Sequence, residues 1–254
     1  MALLETRGLT IRFGGNLAVS EVDLAVEAGA VTGLIGPNGA GKTTTFNMIC
    51  GVLAPTSGQV ILDGRDVSRL GTHKRARLGI GRTFQRIEVF SSMTVRENVQ
   101  VGCEIRQGWG RTTAPGPQLL APKGAELTAA DEVDLILDRL GLTEHAEVRA
   151  GQLSTGRARL VELGRALAIR PRVLLLDEPA SGLDDTETEE FGLLLRQLAD
   201  AGLSILMVEH DVPLVMKVCA QIFVLDFGRI IASGTAADIQ QNEAVLNAYL
   251  GSAK

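Results

Sequence analysis

The sequence predicts a protein of the α/β class, and three observations support this assignment. Apolar runs of strand length, bounded by turn residues, alternate along the chain with segments of helical periodicity. Apolar residues recur at i, i+3, i+4 and i+7 in residues 133–140 and again in residues 191–198, as in amphipathic helices. Residues 86–160 contain no convincing core strand and are predicted to form a helical insertion. The predicted strands cover residues 22–26, 31–35, 60–62, 173–176, 205–208 and 222–225.

Length and composition restrict the class of protein. The 254 residues suffice for one large domain or two small ones, and 45% hydrophobic residues can form a sizeable core. No apolar run approaches the roughly 20 residues that a membrane-spanning helix needs, and residues 1–7 lack a signal-peptide core. We therefore expect that the protein does not itself cross a membrane.

Net charge and cysteine content indicate the expected binding partners and compartment of the protein. The net charge of −5 argues against non-specific binding to nucleic acid. Residues 65–86 are locally basic and are expected to form a solvated face; contact with anionic lipid or a partner is the alternative. The widely spaced Cys50, Cys103 and Cys219 indicate a reducing cytosol and no metal site. A cytosolic protein without nucleic-acid affinity is the expectation.

Residues 36–43 match the pattern G-x-x-x-x-G-K-[ST] without deviation. The predicted strand 31–35 precedes this loop, and a helix is expected to follow until Gly51. Glycines let the backbone wrap an anion with its N–H groups pointing inward. Lys42 is expected to meet the β- and γ-phosphates of a nucleotide, and the Thr43 hydroxyl to ligate Mg²⁺. The predicted contacts are Gly36, Pro37, Asn38, Gly39, Ala40, Gly41, Lys42, Thr43 and Thr44. A glycine-rich turn with an accidental lysine is the alternative.

Two carboxylates follow the predicted strand 173–176. Asp177 lies at the carboxyl end of the strand, where ligands bind in open α/β sheets, and suits coordination of Mg²⁺ directly or through water. Glu178 is expected to polarise an attacking water. Because burying an unpaired charge is costly, neither carboxylate is expected to be stable there without metal and phosphate nearby. The alternative is a surface Asp-Glu pair after a core strand.

A second phosphate-binding element precedes that strand. Leu153-Ser154-Thr155-Gly156 opens a predicted helix. The Ser154 hydroxyl and the backbone amides at a helix N-terminus favour an anion. The chain is therefore expected to carry two elements that bind phosphate.

Weaker signals gain weight from their order in the chain. Gln85 follows a strand-like segment and could place its amide on the metal ion or on water; a surface glutamine is the alternative. His210 follows the predicted strand 205–208 and is a candidate for contact with the γ-phosphate, against a role as an ordinary polar residue. Phe13 precedes Gly14-Gly15 and could stack on an adenine ring, with core packing as the alternative.

Taken in order, these features resemble the ATP-binding cassette ATPases over essentially the entire chain. The resemblance assigns Phe13 to the adenine-stacking loop, residues 36–43 to the Walker A loop and Gln85 to the Q-loop. It makes residues 153–156 the signature, Asp177 the Walker B aspartate, Glu178 the catalytic base and His210 the switch histidine. Ser181-Gly182-Leu183-Asp184 resembles the D-loop.

The signature departs from the family pattern Leu-Ser-Gly-Gly-Gln. This chain has Thr155 in place of the first Gly and Arg157 in place of the Gln. Ser154 and Gly156 are retained. We therefore expect a site that remains competent, with slower turnover as the consequence of the departure.

A narrower resemblance points to the larger of the two ATPases of branched-chain amino acid importers. The similar segments include Phe13-Gly14-Gly15, Arg82-Thr83-Phe84-Gln85 and Val208-Glu209-His210-Asp211. Three further segments also fit: 94–99, 224–228 and 248–251. Related cassettes serve urea, other amides or lipid export, so the transported solute stays open.

The resemblance implies a single cassette domain over residues 1–254, with a P-loop NTPase fold. Its core is a RecA-like mixed sheet, with an N-terminal antiparallel β subdomain and an inserted helical subdomain. Residues 1–85 and 161–254 are expected to form the catalytic core with the β subdomain, and residues 86–160 the helical subdomain with the signature. Residues 107–124 are rich in Gly and Pro and are expected to be a surface loop or a partner-specific contact.

The resemblance also implies ATP and Mg²⁺ as ligands, and membrane permease subunits and a second cassette ATPase, identical or related, as partners. A solute-binding protein would act indirectly, and the chain is expected at the cytoplasmic face of the inner membrane. The alternatives are a soluble cassette ATPase of DNA repair, translation or cluster assembly, and a small-molecule P-loop kinase. One cassette without a long coiled-coil insertion favours transport. The kinase would leave Ser154, Gly156 and His210 unexplained.

Overall fold

The computed structural model describes residues 2–109 and 127–251. Its centre is a six-stranded sheet with the order β10-β9-β3-β8-β7-β6. β3 (Val31–Ile35), β6 (Ile80–Arg82), β7 (Val173–Asp177), β8 (Ser204–Val208) and β9 (Gln221–Asp226) pair in parallel. β10 (Arg229–Gly234) closes one edge antiparallel to β9. The predicted mixed α/β sheet is confirmed.

A second, antiparallel sheet lies at the N-terminal side, with the order β2-β1-β4-β5. It consists of β1 (Ala2–Phe13), β2 (Asn16–Glu27), β4 (Ser57–Leu62) and the two-residue β5 (Arg65–Asp66). Apolar residues of β1 and β2 such as Leu9, Val19 and Val22 are fully buried in one cluster with Phe46 of the first helix. The expected antiparallel β subdomain is therefore present, and it packs on one face of the central sheet.

Helices pack on the central sheet and also form most of the described part of the insertion at residues 86–160. They are α1 (Lys42–Cys50), α2 (Thr72–Arg77), α3 (Val95–Gly108), α4 (Ala129–Arg139), α5 (Thr155–Ala168), α6 (Asp185–Asp200), α7 (Val212–Val218), α8 (Ala236–Gln240) and α9 (Glu243–Gly251). Two single-turn 3₁₀ helices, Thr143–His145 and Ala150–Gln152, lie between α4 and α5. The buried faces of α3, α4 and α5 meet around Val99, Ile136 and Leu163. That apolar cluster continues to β7 and β8, so the helical insertion shares a core with the sheet.

The helical prediction for residues 86–160 agrees with the described part of this stretch. Residues 86–109 and 127–160 carry helices and an isolated bridge between Thr94 and Arg149, with no strand. Helix α5 crosses the proposed boundary at residue 160 and ends at Ala168, so the division into subdomains stays a prediction. Gln107 and Gly108 belong to the last turn of α3, which corrects the expected loop at its start. Residues 110–124 of that loop lie outside the described residues.

The basic stretch 65–86 is not simply a solvated face. Arg75 is only 1% exposed and donates to the carbonyl oxygens of Leu70, Met48 and Ile49. The bonds to Met48 and Ile49 cap the C-terminal end of α1, where carbonyl groups lack helical partners. The spacing of charges along a chain does not reveal which guanidinium is buried. The expected solvated face holds for most of the stretch, since the exposed basic residues are Arg65, Arg69, His73, Lys74 and Arg86.

Candidate functional site

The loop of residues 36–43, here called the phosphate loop, connects β3 to α1. Gly36 and Gly41 have φ angles of 149° and 105°, in the region that favours glycine. A Cβ atom at Gly36 would overlap the Leu225 carbonyl oxygen, and one at Gly41 would lie 2.9 Å from the Ala18 carbonyl oxygen. The loop is thus enclosed by β9 and β2, and this close approach requires glycine at both positions.

No side chain caps the N-terminus of α1 at the phosphate loop. Gly41 is the N-cap residue and makes no side-chain hydrogen bond. By contrast, a side-chain oxygen caps each helix from α3 to α8. The first N–H groups of a helix lack intrahelical acceptors, and the helix dipole favours negative charge beside them. The start of α1 is therefore suited to a phosphate group.

The Lys42 side chain folds back over the phosphate loop. Its Nζ donates to the carbonyl oxygens of Gly36 over 2.6 Å and of Pro37 over 2.9 Å. Burial lowers the pKa of Lys42, whereas the negative charges of Glu178 and Asp177 act in the opposite direction. The ammonium group is therefore placed at the centre of the loop, close to both carboxylates that the sequence singled out.

Asp177 ends β7, and its side chain is only 3% exposed. Arg82, on the neighbouring strand β6, donates from Nη2 to Asp177 Oδ2 over 3.1 Å. Burial raises the pKa of Asp177, and the Arg82 cation opposes that effect. A cation of the protein thus partly offsets the burial of this carboxylate, although its pKa stays raised. The expectation that metal and phosphate stabilise it stays a prediction. Sequence reasoning gave Arg82 no role; its only sequence signal was its place in the strand-like segment before Gln85.

Glu178, Gln85 and His210 converge although they come from three parts of the chain. The Gln85 side-chain amide donates from Nε2 to Glu178 Oε2 over 2.8 Å. His210 Nδ1 lies 3.9 Å from the same carboxylate oxygen. Glu178 has a φ angle of 48°, in the left-handed region, and its backbone N–H donates to the Val208 carbonyl oxygen over 2.8 Å. Such a backbone is uncommon for a residue other than glycine and is typical of functional positions.

A buried carboxylate that sequence reasoning missed fixes the segments on both sides of this group. Glu209 is fully buried, and its two oxygens accept hydrogen bonds from the backbone N–H groups of Ala180, His210 and Asp211. Burial raises the pKa of Glu209, whereas these hydrogen bonds lower it. Glu209 therefore ties the backbone after Glu178 to the backbone of His210.

A cleft of about 520 Å³ opens on the phosphate loop. Its lining includes residues 38–44, Glu178 and Phe227, together with residues 16–18. Phe227 has a φ angle of 41° and is 89% exposed, in the turn between β9 and β10. Phe13 is half exposed at the end of β1 and is not among the residues that line this cleft. Phe227 is thus the aromatic residue that lines this cleft among the described residues, and the Phe-Gly turn after a core strand could have indicated it.

The second predicted phosphate-binding element, residues 153–156, lies elsewhere. Ser154 caps α5, where its Oγ accepts from the Arg157 backbone N–H over 3.4 Å, and Thr155 begins the helix. Gly156 packs against the Glu187 side chain, which a Cβ atom at position 156 would displace. Ser154 and Gly156 line a separate cleft of about 610 Å³, which shares no lining residue with the phosphate-loop cleft. One chain therefore does not bring its two predicted phosphate-binding elements to a single cleft.

Asp184, the last residue of the segment that resembles a D-loop, caps α6. Its Oδ1 accepts from the Glu187 backbone N–H over 2.8 Å, and the Glu187 carboxylate accepts from the Asp184 N–H over 3.2 Å. Because the Glu187 side chain also packs against Gly156, the start of α6 lies against the start of α5. This places Asp184 beside the signature-like segment.

The donor atoms around the phosphate loop are compatible with Mg²⁺. Thr43, Gln85 and Asp177 offer hydroxyl, amide and carboxylate oxygens, which are the hard ligands that Mg²⁺ prefers. Among the described residues, no cluster of three or more His, Cys, Asp or Glu side chains could hold a metal ion. A metal held by one carboxylate, the hydroxyl and amide oxygens, phosphate oxygens and water fits that finding.

Cys50 and Cys103 are buried, Cys219 is partly buried, and all three thiols are free. Over residues 2–109 and 127–251, no helix combines the length and the hydropathy needed to cross a membrane.

Two family models match the chain. The model described as ABC transporter matches residues 19–181. The model described as branched-chain amino acid ATP-binding cassette transporter matches residues 229–254. The first match covers the phosphate loop, the signature-like segment and both carboxylates, whereas the second begins at β10.

Individual proteins resemble the chain over its whole length. The chain is 42% identical to the high-affinity branched-chain amino acid transport ATP-binding protein BraF of Pseudomonas aeruginosa, covering 99% of this chain and 98% of BraF. It is 36% identical to the lipopolysaccharide export system ATP-binding protein LptB of Escherichia coli, covering 99% and 98%. Among solved structures, the ADP conformation of MJ1267, an ATP-binding cassette of an ABC transporter, superposes with a TM-score of 0.84 at 31% identity, covering 99% of both chains.

Proposed function

This chain belongs to the ABC transporter family as an ATP-hydrolysing subunit, and on that premise we propose that it energises the uptake of branched-chain amino acids. The observation that carries the proposal is the match of residues 229–254 to the branched-chain amino acid cassette model. The full-length similarity to BraF supports the same substrate class. Because a cassette of this kind does not contact the solute, the same subunit could energise the uptake of a related small polar solute.

Lipid export is the second candidate, favoured by the full-length similarity to LptB. Uptake and export can be distinguished in cells whose own copy of this chain is replaced by the Glu178→Gln variant. We expect loss of uptake of radiolabelled leucine, isoleucine and valine with normal delivery of lipopolysaccharide to the cell surface. Normal uptake together with defective lipopolysaccharide delivery would instead support the exporter.

We propose that the nucleotide lies in the phosphate-loop cleft. The backbone of residues 36–43 would surround the β- and γ-phosphates, with Lys42 and Thr44 among the donors. Phe13 would stack on adenine, as the family resemblance implies; the exposure of Phe227 in the cleft lining makes it a second aromatic candidate. This arrangement is supported by the uncapped start of α1.

Glu178 is proposed as the general base. Its carboxylate would accept a proton from the attacking water, Gln85 would orient that water or the metal, and His210 would contact the γ-phosphate. The shared position of these three side chains at one carboxylate oxygen supports the assignment. Thr43, Asp177 and Gln85 would hold Mg²⁺, which supplies neutralisation of the phosphate charge when bound.

The complete site is proposed to require two cassettes. Ser154, Thr155 and Gly156 of one subunit, with Asp184 nearby, would meet the nucleotide held by the phosphate loop of the other. The separation of the two anion-binding elements into different clefts supports a composite site. The second cassette is a copy of this chain or a related ATPase.

The protein is also proposed to dock on membrane permease subunits from the cytoplasmic face of the inner membrane, with a solute-binding protein acting indirectly. Residues 86–160 would form a helical subdomain whose first segment, with Ile87, Val89 and Phe90, meets the permease. Phe90 is 45% exposed, whereas Val89 is partly buried against the core. Phe90 is therefore the strongest candidate for direct contact with a permease helix.

A further inference from the structure

Arg82 occupies a position where three parts of the proposed ATP site meet. Its Nη2 donates to Asp177 Oδ2 over 3.1 Å, and its Nη1 donates to Asn47 Oδ1 over 2.7 Å. Its Nε donates to the Thr83 carbonyl oxygen over 3.3 Å. One guanidinium thus contacts the end of β7, the helix after the phosphate loop and the segment that leads to Gln85.

Two aromatic rings hold the same guanidinium in place. The Arg82 Cζ atom lies 5.7 Å from the centre of the buried Phe46 ring and 5.1 Å from the centre of the exposed Phe84 ring. Contacts of this kind attract a cation to the face of the ring. Because only 15% of the Arg82 side chain is exposed, it has little freedom to leave this position.

The contact with Asp177 leaves part of the carboxylate available. Arg82 binds Oδ2, and no hydrogen bond to Asp177 Oδ1 occurs among the contacts of the described residues. A carboxylate held through one oxygen has a defined orientation while its second oxygen can still bind a cation. Removing a group that hydrogen-bonds to a metal ligand, without itself touching the metal, commonly weakens metal binding about 10–100-fold.

We propose that Arg82 is a positioning residue that orients the Asp177 carboxylate toward Mg²⁺ and connects it to the segment carrying Gln85. This inference rests on the proposed function, since it assumes that Asp177 serves the metal of a bound nucleotide. A change at Asp177 on nucleotide binding would reach Thr83 and Phe84 through the same guanidinium. Gln85 follows directly and leads into the segment proposed to meet the permease.

Binding of an N-methylanthraniloyl-labelled ATP, measured by fluorescence anisotropy in Mg²⁺ and in EDTA, tests the proposal without reliance on turnover. We expect Arg82→Met to weaken binding in Mg²⁺ by about 10-fold or more, with a change of less than about 3-fold in EDTA, where Asp177 has no metal to hold. Arg82→Lys keeps the charge but not the planar fork of donors, so it should restore only part of the affinity. Exposed Arg65 on β5 supplies the matched control, and Arg65→Met should bind as the parent does.

Three results would overturn the proposal. An equal loss of nucleotide affinity in Mg²⁺ and in EDTA for Arg82→Met would show that Arg82 has only a structural role. Tighter binding by this variant in Mg²⁺ would show that Arg82 competes with the metal for Asp177. Full restoration by Arg82→Lys would show that charge alone matters. If Arg82→Met does not fold, the Asn47→Ala variant tests the proposal instead, because it removes one hydrogen bond that holds the guanidinium. Its nucleotide affinity should fall by about 3-fold in Mg²⁺ and stay unchanged in EDTA.

The wild-type titration separates this inference from the proposed function. Wild-type protein that binds the labelled nucleotide no better in Mg²⁺ than in EDTA would overturn the proposed metal site, and the inference with it. A normal wild-type response, with Arg82→Met indistinguishable from wild type, would overturn the inference alone.

Discussion

The side-chain amide of Gln85 donates a 2.8 Å hydrogen bond to the Glu178 carboxylate across 93 positions of sequence. Gln85 belongs to the segment that enters the helical insertion, and Glu178 directly follows the strand β7. The bond therefore gives the proposed catalytic base a direct contact with the region that is proposed to meet a permease.

The first prediction concerns Glu178. Removing its proton-accepting oxygen in Glu178→Gln should lower ATP turnover by about 100-fold or more, the usual effect of losing a general base. Nucleotide affinity should stay near that of the parent, because the phosphate loop is untouched. Steady-state phosphate release and equilibrium binding of ATP measure the two effects. Turnover close to that of the parent would contradict the assignment.

Lys42→Ala should instead weaken nucleotide binding itself. The substitution deletes a cation at the centre of the phosphate loop and also its bonds to the Gly36 and Pro37 carbonyl oxygens. Isothermal titration with ATP measures the change, with Lys74→Ala on the exposed side of α2 as the control. Equal affinities in the Lys42 variant and its parent would rule out this role for the lysine.

Ser154 should act on the nucleotide held by a second cassette. Ser154→Ala and Lys42→Ala chains, each inactive alone, should recover part of their ATPase activity when mixed, because each hybrid dimer contains one intact composite site. The proportion of hybrids can be measured by mass spectrometry with differently tagged chains. Mixtures that contain hybrids and stay inactive would argue against action across the dimer. If the natural partner is a related ATPase, that protein replaces one of the two chains.

Phe90→Asp should separate transport from ATP hydrolysis. The exposed ring packs on the Arg165 guanidinium, whose Cζ lies 4.8 Å from its centre, while its backbone is bound to the buried Asn98. A charge at this position should prevent docking of an apolar permease helix and abolish solute uptake. ATPase activity of the isolated subunit should stay within about 3-fold of normal, as expected for a surface change.

Co-purification with the permease checks the Phe90 prediction directly, and Leu246→Asp, at an exposed position on α9, is its control. Retained docking by the Phe90 variant would place the permease contact elsewhere. A Phe90 variant that does not fold would identify the ring as part of the core.

Stability in acid should depend on Glu132. Burial alone would raise the pKa of Glu132, but hydrogen bonds from Arg106 and Arg170 outweigh it and hold that pKa below 4.5. A carboxylate with a lowered pKa stabilises the fold above its unfolded-state pKa and loses this contribution as the pH falls through the folded-state pKa. Glu132→Gln should therefore lower the free energy of unfolding by about 3 kcal/mol at pH 7, the lower end of the range for buried pairs, because both arginines reach solvent.

Urea unfolding of the Glu132 variant and its parent between pH 7 and pH 3 measures this effect. The difference in unfolding free energy should shrink below about pH 4.5. A difference that does not change with pH would show that Glu132 acts by packing alone. Asp134→Asn, at an exposed position on the same helix, is the control.

Much of the fold could be predicted because its signals are local. The strands 173–176 and 205–208 are continuous apolar runs, strand 31–35 is apolar except for Thr32, and the sheet buries all three on both faces. The phosphate loop was recognisable because its glycines are demanded by backbone angles within the loop itself. β1 was not predicted, because Ala2–Phe13 mixes exposed and buried residues with register shifts against both neighbouring strands.

The sequence by itself determined the α/β class, the phosphate loop and the order of the candidate site residues, since each depends on neighbours within a few positions. The tertiary structure alone decided that Arg82 donates to Asp177, that Phe227 lines the cleft, and that Ser154 lies in a different cleft. These relationships arise when β6 pairs beside β7 and β9 beside β3, which brings distant residues to one edge of the sheet. Periodicity and spacing carry no information about which charged side chain meets which, because that depends on the pairing of strands.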